Sequence, residues 1–274
     1  MSDIVRFVLF DVLRYRERII KMNLKNSFPE KSENELNQII KSFQKHFCDV
    51  YIETIKMLTL PEDEVKARID FKNIDLMVKY LREDRNILLY SSHVGNWEWL
   101  ITMPLHFDGP SATFYQKLSS NYFNELMVTI RNRFGVHCIE SKFAYRELIK
   151  YKRDAVPFVT CMIGDQGPKR NSTVHWTNFM NQDTAFFTGA AKIANKFNFV
   201  ILYPKYQKTS RGRYEVSFQL LSDNPKSLSE EQIIEKFSTA LEDQLKSAPE
   251  MWLWSHKRWK RKPKDFVVMQ QTTE

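Results

Sequence analysis

A histidine and a carboxylate stand in a setting that suggests acid–base chemistry. The apolar run 86–92 predicts a buried strand, and His93 and Glu98 follow it, five positions apart, around Gly95. A neutral imidazole can take a proton from a hydroxyl when an acceptor holds its other ring nitrogen. Because five residues turn well past one helical turn, His93 should precede a helix that carries Glu98 in its first turn. We therefore expect His93 to act as a general base that Glu98 orients.

His93 is the one histidine of the six with a carboxylate five positions on. The corresponding positions after the other histidines hold Tyr51, Ser111, Lys142, Met180 and Arg261. The spacing alone is weak evidence, since most histidines in such a pattern are ordinary structural residues. The strand before His93 and the glycine after it strengthen the interpretation, because open α/β sheets place their sites beyond the carboxyl ends of strands.

Two further groups of polar residues follow predicted elements. Asp165 and Gln166 stand in a loop with Gly and Pro directly after the apolar run 156–163. They can line a polar cleft at the sheet edge that carries the histidine, although such a loop can equally be an ordinary capped surface loop. Arg131 and Arg133 end a predicted helix, where they can either stabilise the helix C-terminus or hold acidic substrate groups.

The composition is that of an ordinary globular chain, and the absence of motifs excludes several enzyme classes. The 274 residues are 43% hydrophobic and 27% charged, which is enough for one substantial core. Glycine is scarce, at 7 residues, and the sequence contains no dinucleotide-binding, P-loop, nucleophile-elbow or zincin motif. The three cysteines have neither zinc nor disulfide spacing, so we expect reduced core thiols, no metal and no cofactor.

The net charge of +8 favours acidic partners, which include nucleic acid, anionic lipid and an acidic carrier protein. Basic residues gather near the two ends of the chain. A nucleic-acid-binding protein is the alternative from a different functional class, but no nucleic-acid-binding module is recognisable. We therefore expect no nucleic-acid partner.

The order of the predicted elements indicates an α/β fold with a mostly parallel central sheet flanked by helices. Strands and helices alternate from residue 86 on, as is typical of a parallel sheet covered on both faces. The predicted strands are 87–91, 112–116, 136–139, 156–163, 199–206 and 213–221, and the predicted helices are 97–104, 122–134, 143–151, 188–196 and 229–246. We assign 83–265 to the α/β core and 266–274 to a frayed tail.

The segment 1–82 is predicted to be a helical annex packed on this core. Its first 25 residues combine a narrow charged stripe with a wide apolar surface. This pattern suits a helix packed on its own domain and equally one in a membrane interface, while no apolar stretch reaches the ~20 residues needed to span a bilayer. Residues 32–35 carry a capping-box pattern, which predicts a long helix ending near Pro61. Short helices are expected at 62–68 and 74–81.

A set of sequence elements together resembles the late acyltransferases of lipid A biosynthesis, within the lysophospholipid acyltransferase superfamily. They are Tyr15-Arg16 and Asn23-Leu24 with Ser27-Phe28-Pro29-Glu30; His93-Val94-Gly95-Asn96-Trp97-Glu98; Arg131 to Gly135; Asp165-Gln166-Gly167-Pro168; Asp183-Thr184 with Thr188 to Ala194; and Pro249 to Trp259. Their order and spacing run nearly end to end along the chain. The resemblance implies a fold like that of glycerol-3-phosphate acyltransferase.

The resemblance also implies an O-acyltransferase, which transfers groups other than aminoacyl groups. The enzyme would move a fatty acyl chain from acyl carrier protein to a hydroxyl of a lipid A precursor, an acylated and phosphorylated glucosamine disaccharide. His93 would be the base and Glu98 the residue that orients it. The other family elements imply substrate-binding roles for Asn96, for Arg131 or Arg133, and for Asp165 and Gln166. The expected partners are acyl carrier protein, the glycolipid acceptor and an anionic membrane surface, at the cytoplasmic face of the inner membrane.

Family members usually carry a longer apolar N-terminal anchor, and this chain starts within what resembles the end of that segment. A trimmed form and a peripherally bound member both fit. No Ser or Cys nucleophile with its own base is visible, which favours direct attack by the acceptor hydroxyl. One alternative is transfer to another acceptor on the same fold, such as a phosphatidylinositol mannoside, an aminolipid or a pigment precursor. Another is a catalytically silent lipid-binding relative, against which the presence of both His93 and Glu98 argues.

Overall fold

The computed structural model describes residues 1–117, 119–153, 156–170 and 172–265, and within them places nine α-helices and nine strands. The helices are α1 (Ser2–Arg6), α2 (Glu17–Ser27), α3 (Glu33–Lys56), α4 (Glu62–Lys66), α5 (Ile74–Arg82), α6 (Asn121–Asn132), α7 (Ala144–Arg153), α8 (Gly189–Phe197) and α9 (Glu230–Ser247). The strands are β1 (Ile69–Phe71), β2 (Ile87–Ser91), β3 (Ser111–Tyr115), β4 (Val136–Glu140), β5 (Val159–Ile163), β6 (Val174–Phe179), β7 (Gln182–Phe187), β8 (Val200–Ser210) and β9 (Arg213–Ser222). The predicted frayed tail, 266–274, lies outside the described residues.

Seven strands form one sheet in the order β1-β9-β8-β2-β5-β3-β4. Neighbouring strands are parallel except β8 and β9, which are antiparallel. The predicted α/β fold with a mostly parallel central sheet flanked by helices is therefore confirmed. All five residues of β2 are buried, because other elements of the chain pack on both faces of the sheet at this position. This two-sided burial is why the strand reads as a continuous apolar run rather than an alternating one.

The structure contains strands that the sequence pattern did not predict. The short β1 pairs with β9, and β6 and β7 form a separate antiparallel hairpin. The hairpin turn consists of Met180 and Asn181, both with positive φ, at 52° and 60°. A two-residue turn of this kind usually contains Gly, so the Met-Asn pair is a weak signal in the sequence. The predicted helix at 97–104 is a 3₁₀ helix over Trp97–Leu105, with Pro104 inside it.

The predicted N-terminal helix is interrupted after a π-helical segment at Phe7–Val12. Arg14 and Arg16 both take the left-handed conformation, with φ at 50°, and the chain changes direction before α2 begins. Phe10 is buried and its ring makes edge contacts with Phe43 and Phe47 of α3. Burial of this aromatic cluster supplies the free energy that holds the left-handed residues in place. Among the described residues, no helix has the length and apolar character needed to cross a bilayer.

The turn after β2 depends on a close approach of its backbone to the ring of Tyr206. Gly95 has φ at 63°, and a Cβ atom on it would lie 2.7 Å from the ring of Tyr206. Only glycine avoids both the strain and the clash. The Gly95 carbonyl accepts a hydrogen bond from His46 Nε2 of α3, at 3.2 Å. Burial lowers the pKa of His46 to about 4, so this ring is neutral at physiological pH.

A buried carboxylate of α3 holds the same turn from beneath. Glu53 Oε2 accepts hydrogen bonds from Asn96 Nδ2 at 2.8 Å, Trp99 Nε1 at 3.3 Å and the Tyr214 hydroxyl at 3.1 Å. These donors come from the turn after β2, the 3₁₀ helix and β9. Glu53 therefore ties α3 to the sheet and to the segment that follows His93. Neutral donors arranged in this way satisfy a buried carboxylate without an ion pair.

We predict that Glu53→Ala lowers the free energy of unfolding by about 2–4 kcal/mol, because three buried donors lose their acceptor. Glu53→Gln should cost less, since its amide oxygen still accepts. Chemical denaturation of the purified variants measures both effects. The control is Lys41→Ala, an exposed position of the same helix, which should change stability by less than about 0.5 kcal/mol. Equal stability of Glu53→Ala and the parent would show that the hydrogen bonds to Glu53 do not stabilise the fold.

Candidate active site

The parallel pairing of β2 with β5 brings His93 beside Asp165. Ser91 and Ile163 are opposite one another in the register, and each strand continues for two residues to reach the pair. Equal steps along parallel strands end at the same edge of the sheet. His93 Nδ1 lies 2.7 Å from Asp165 Oδ1, and the His93 backbone N–H donates to Asp165 Oδ2 at 3.0 Å. The sheet thus joins two residues that are 72 positions apart in the chain.

The carboxylate decides which nitrogen of His93 carries the proton. Burial alone would raise the pKa of Asp165, but the charge and hydrogen bonds of His93 and the indole N–H of Trp252 outweigh it and lower the pKa to about 2. Asp165 is therefore ionised at neutral pH and can only accept hydrogen bonds. It follows that Nδ1 donates to Asp165, and in the neutral form of this ring Nε2 presents its lone pair. An imidazole held in this tautomer is equipped to take a proton at Nε2.

Gln166 occupies the free side of the imidazole. Its amide nitrogen lies 3.0 Å from His93 Nε2 and donates to it, given the tautomer that Asp165 imposes. The Gln166 side chain is exposed, whereas Asp165, its neighbour in the chain, is buried. The loop after β5 thus sends one side chain inward to hold the ring and the next outward across its reactive nitrogen.

The structure differs from the expectation that Glu98 orients His93. Both oxygens of Glu98 bind Arg131, at 2.7 Å from Nη2 and 3.1 Å from Nε, and Oε1 also accepts from Trp97 Nε1 at 3.2 Å. The orienting partner of His93 is Asp165 instead. The reason is tertiary: strand register sets Asp165 against the ring, while Glu98 is drawn to the nearby guanidinium of α6. A bidentate pair of this kind fixes both side chains.

The two candidate arginines have different places in the structure. Arg131 is the partner of Glu98 and lies in the site. Arg133 donates to the backbone carbonyls of Met57 and Leu60, just beyond the end of α3. These contacts do not support the predicted alternative that Arg133 binds substrate. Arg133 joins α6 to the segment after α3.

Asn96 also differs from the expectation that it touches substrate. Its side chain is fully buried and donates to Glu53, beneath the turn that carries His93. A buried amide engaged with a buried carboxylate holds backbone in place rather than facing a ligand. Asn96 thus belongs to the support of the site.

One face of the sheet borders an apolar cavity. Val159, Cys161 and Ile163 alternate along β5 and so project to one face, and the register places Leu89, Ser111 and Thr113 on that same face. The 3₁₀ helix Trp97–Leu105 covers it. The cavity between them is partly open to solvent and is lined by Leu89, Trp97, Glu98, Leu100, Ile101, Met103, Ser111, Ala112, Thr113, Arg131, Val136, Val159, Cys161 and Ile163.

Trp97 joins the cavity to the histidine. Its indole lines the cavity and also makes an edge contact with the His93 ring, with the ring centroids 4.9 Å apart. The ion pair of Glu98 and Arg131 lies in the same wall. The site therefore combines an oriented imidazole, an apolar cavity beside it and a buried charge pair between sheet and helix. Burial raises the pKa of Cys161 to about 12, so its thiol in the cavity wall stays protonated.

The C-terminal segment 251–259 supplies site residues that reasoning from the sequence did not assign. Trp252 Nε1 donates to Asp165 Oδ2 at 2.6 Å, and the Gly167 N–H donates to His256 Nε2 at 3.3 Å. Burial lowers the pKa of His256 to about 4, so its ring is neutral and can accept. Arg258 is buried near Asp165, and its pKa is lowered to about 10 by burial. The dense aromatic and basic composition of this segment was the signal that could have found it.

No group of three or more His, Cys, Asp or Glu side chains in the described part of the chain is arranged to hold a metal ion. An imidazole oriented by a carboxylate lies beside an apolar cavity. Such a combination suits proton removal from a hydroxyl beside an apolar chain.

Comparison with known proteins identifies the family. A search of curated proteins finds no match to this sequence. A family model described as bacterial lipid A biosynthesis acyltransferase matches residues 3–261. The matched region contains both partners of the His93–Asp165 pair, the cavity and the C-terminal segment. Because the match spans nearly the whole chain, the protein belongs to the bacterial lipid A biosynthesis acyltransferase family and is an acyltransferase.

Proposed function

We propose that this protein moves a fatty acyl chain from the thioester of acyl carrier protein to a hydroxyl of a lipid A precursor, with His93 as general base. The observation that supports this most directly is the imidazole held by Asp165 and in ring contact with Trp97, which also lines the apolar cavity. The base and the enclosure for a hydrocarbon chain thus adjoin. Family membership supports the lipid acceptor and the acyl donor.

The proposed reaction needs no covalent enzyme intermediate. His93 Nε2 takes the proton of the acceptor hydroxyl as its oxygen attacks the thioester carbonyl carbon. The tetrahedral intermediate then collapses, the C–S bond breaks, and the imidazolium returns the proton to the leaving thiolate. Asp165 stabilises the imidazolium and keeps Nδ1 as the donor, in the way that the aspartate of a catalytic triad does. The acceptor hydroxyl takes the position that Gln166 holds beside Nε2, so Gln166 must move aside or donate to the incoming oxygen.

Glu98 and Arg131 are assigned to substrate positioning. Glu98 holds the guanidinium in the cavity wall, so a positive charge stands beside the region where the thioester carbonyl would lie. Fixed donors near a developing oxyanion lower the barrier to acyl transfer, because they need no reorganisation. Glu98 thus remains a site residue in this proposal, but its effect passes through Arg131 and not through His93.

The acyl chain is proposed to enter the cavity between the sheet and the 3₁₀ helix. Ser111, Thr113 and Val136 lie on the neighbouring strands β3 and β4, farther from His93 in the sheet order than Cys161 of β5. The side chains there are small and uncharged, which suits a saturated chain. Their volume would set how long a chain the enzyme accepts.

The first prediction from this proposed function concerns the base. His93→Ala should lower kcat by about 10²–10⁴-fold without unfolding the protein, and Asp165→Asn should also lower it strongly, because an amide at that position favours the wrong tautomer. Product formation is measured by mass spectrometry with acyl-carrier thioesters and a tetra-acyl lipid A precursor. The control is His137→Ala, an exposed histidine of β4 that should keep the parent rate. Parent-like turnover by His93→Ala would refute the assignment.

The second prediction concerns chain length. Ser111 Oγ is buried and has no hydrogen-bond partner in the described structure, so its replacement removes no bond. Ser111→Leu fills cavity volume and should reduce kcat/KM for the longest accepted donor by about 10–100-fold relative to a donor two to four carbons shorter. Ser111→Ala, the control, should leave the ratio unchanged. A ratio unaffected by Ser111→Leu would show that the acyl chain lies elsewhere.

The N-terminal helical segment is proposed to lie in a membrane interface, within the annex 1–82 that we propose as the membrane-associating part. Ile4, Phe7, Val8, Val12 and Leu13 are exposed there, although Phe10 is buried against α3. Exposed basic residues follow at positions 14, 18, 21 and 25, where they would meet anionic head groups. This proposal also places the protein at the cytoplasmic face of the inner membrane, where acyl carrier protein would bind its basic surface.

The third prediction tests this surface. Phe7→Asp with Leu13→Asp should markedly reduce co-sedimentation with vesicles of mixed zwitterionic and anionic phospholipid, because burying a carboxylate in the interface is unfavourable. The control, Ile149→Asp, changes an exposed apolar residue of α7 and should bind like the parent. Unchanged binding by the double variant would place the membrane contact on another surface.

A further inference from the structure

The C-terminal segment is joined directly to the turn that carries His93. The Gly95 N–H donates to the Met251 carbonyl at 2.9 Å, and Val94 forms an antiparallel bridge with Trp252. Trp252 is buried, at 3% exposure. The backbone of this segment is therefore attached to the turn after β2. The Trp252 side chain extends away from this turn, toward the loop after β5.

The indole of Trp252 completes the hydrogen bonds of the orienting carboxylate. Its Nε1–H donates to Asp165 Oδ2 at 2.6 Å, and the same oxygen accepts the His93 backbone N–H at 3.0 Å. The other oxygen, Oδ1, accepts from His93 Nδ1 at 2.7 Å. With Oδ2 held at two points, the carboxyl plane cannot rotate without breaking a bond. Oδ1 is thereby aimed at the imidazole.

We propose that Trp252 is a positioning residue of the acyl-transfer site, which fixes Asp165 so that Asp165 in turn fixes the tautomer and orientation of His93. This inference rests on the proposed function for its kinetic consequence. The structural part stands on the contacts of the carboxylate. The site is thus a chain of three side chains, from indole to carboxylate to imidazole.

The chemistry of an indole suits this position. Its N–H is a donor only, is neutral, and cannot exchange a proton with the carboxylate. A Lys or Arg in direct contact would compete with the imidazolium for the negative charge that Asp165 supplies. The indole ring is itself held by neighbouring aromatic rings, with centroids 4.7 Å from Trp254, 5.8 Å from Trp259 and 6.0 Å from Phe179. The direction of the N–H is therefore fixed by packing.

The positive charge near Asp165 comes from a different residue. Arg258 is buried, donates to the Ala185 carbonyl at 2.7 Å and lies over the Phe186 ring. It affects Asp165 through space, as do the other titratable groups that face this carboxylate from the packed elements. These are Tyr90 of β2, Tyr203 of β8 and His256 of the C-terminal segment, besides His93. A change confined to the indole N–H leaves all of them in place.

The test is Trp252→Phe, which keeps an aromatic ring and removes the N–H. We expect kcat to fall by about 10–100-fold with KM for donor and acceptor little changed, because binding surfaces are untouched while the base loses its fixed orientation. The second readout is proton NMR of the protein without substrate. An imidazole N–H bonded to a carboxylate gives a low-field resonance, which is assigned to His93 by its absence in His93→Gln. This resonance should broaden or disappear in Trp252→Phe.

The matched control is Trp254→Phe. Trp254 lies two residues on, is equally buried, and donates its N–H to the Pro249 carbonyl at 2.6 Å rather than to Asp165. Because Trp254→Phe keeps an aromatic ring packed against Trp252, this variant should lose comparable stability while keeping the His93 resonance and most of kcat. Should Trp252→Phe fail to fold, benzothienylalanine at position 252, which has sulfur in place of the N–H, gives the same comparison at constant ring size.

The outcomes separate this inference from the proposed function. A folded variant at position 252 that keeps the low-field resonance overturns the inference, whether or not its rate falls. Loss of the resonance in the Trp252 variants and its persistence in Trp254→Phe supports it. If the parent protein transferred no acyl chain to any acceptor, the proposed function would fail, but the resonance would still report on the role of Trp252.

Discussion

The site depends on the register between β2 and β5. Because Ser91 is opposite Ile163, two equal extensions bring a histidine and an aspartate together at the edge of the sheet. A shift of one residue would turn one of the two side chains to the other face and separate them. The backbone hydrogen bond from Gly164 to the Ser91 carbonyl continues the pairing beyond the strands and keeps both extensions in step.

Two buried carboxylates support this edge from different sides. Glu53 lies under the turn after β2 and accepts from three neutral donors, while Asp165 lies under the histidine and accepts from His93 and Trp252. Within the described part of the chain, neither carboxylate makes a direct bond to a Lys or Arg. Loss of one donor or acceptor from such an arrangement leaves other buried polar groups unpaired, so the site is rigid because its alternatives are costly. An oriented base requires this rigidity.

Much of the fold and part of the site follow from local patterns. The apolar runs predict the central strands, and the alternation of strands with helices predicts the mostly parallel sheet. His93, Asp165 and Gln166 each follow a predicted strand, so a meeting at one sheet edge was one of the two alternatives that the sequence left open for this loop. The β6–β7 hairpin was missed because its turn lacks glycine, and the break in the N-terminal helix was missed because left-handed arginines leave no mark in the periodicity. Both depend on packing against other segments.

The amino-acid sequence by itself determined which residue is the candidate base, the sheet edge at which it lies and the family to which the chain belongs. Only the tertiary structure decided which side chains contact His93 and the other site residues. The five-residue spacing predicted that Glu98 orients His93, but in the structure Asp165 contacts the imidazole and Glu98 binds Arg131. The register between two strands brought together residues that are far apart in the chain. The tertiary structure also gave Arg131 and Arg133 different contacts, and it placed the Trp252 indole against the Asp165 carboxylate. Such contacts depend on where whole elements pack, and a local pattern contains no information about that.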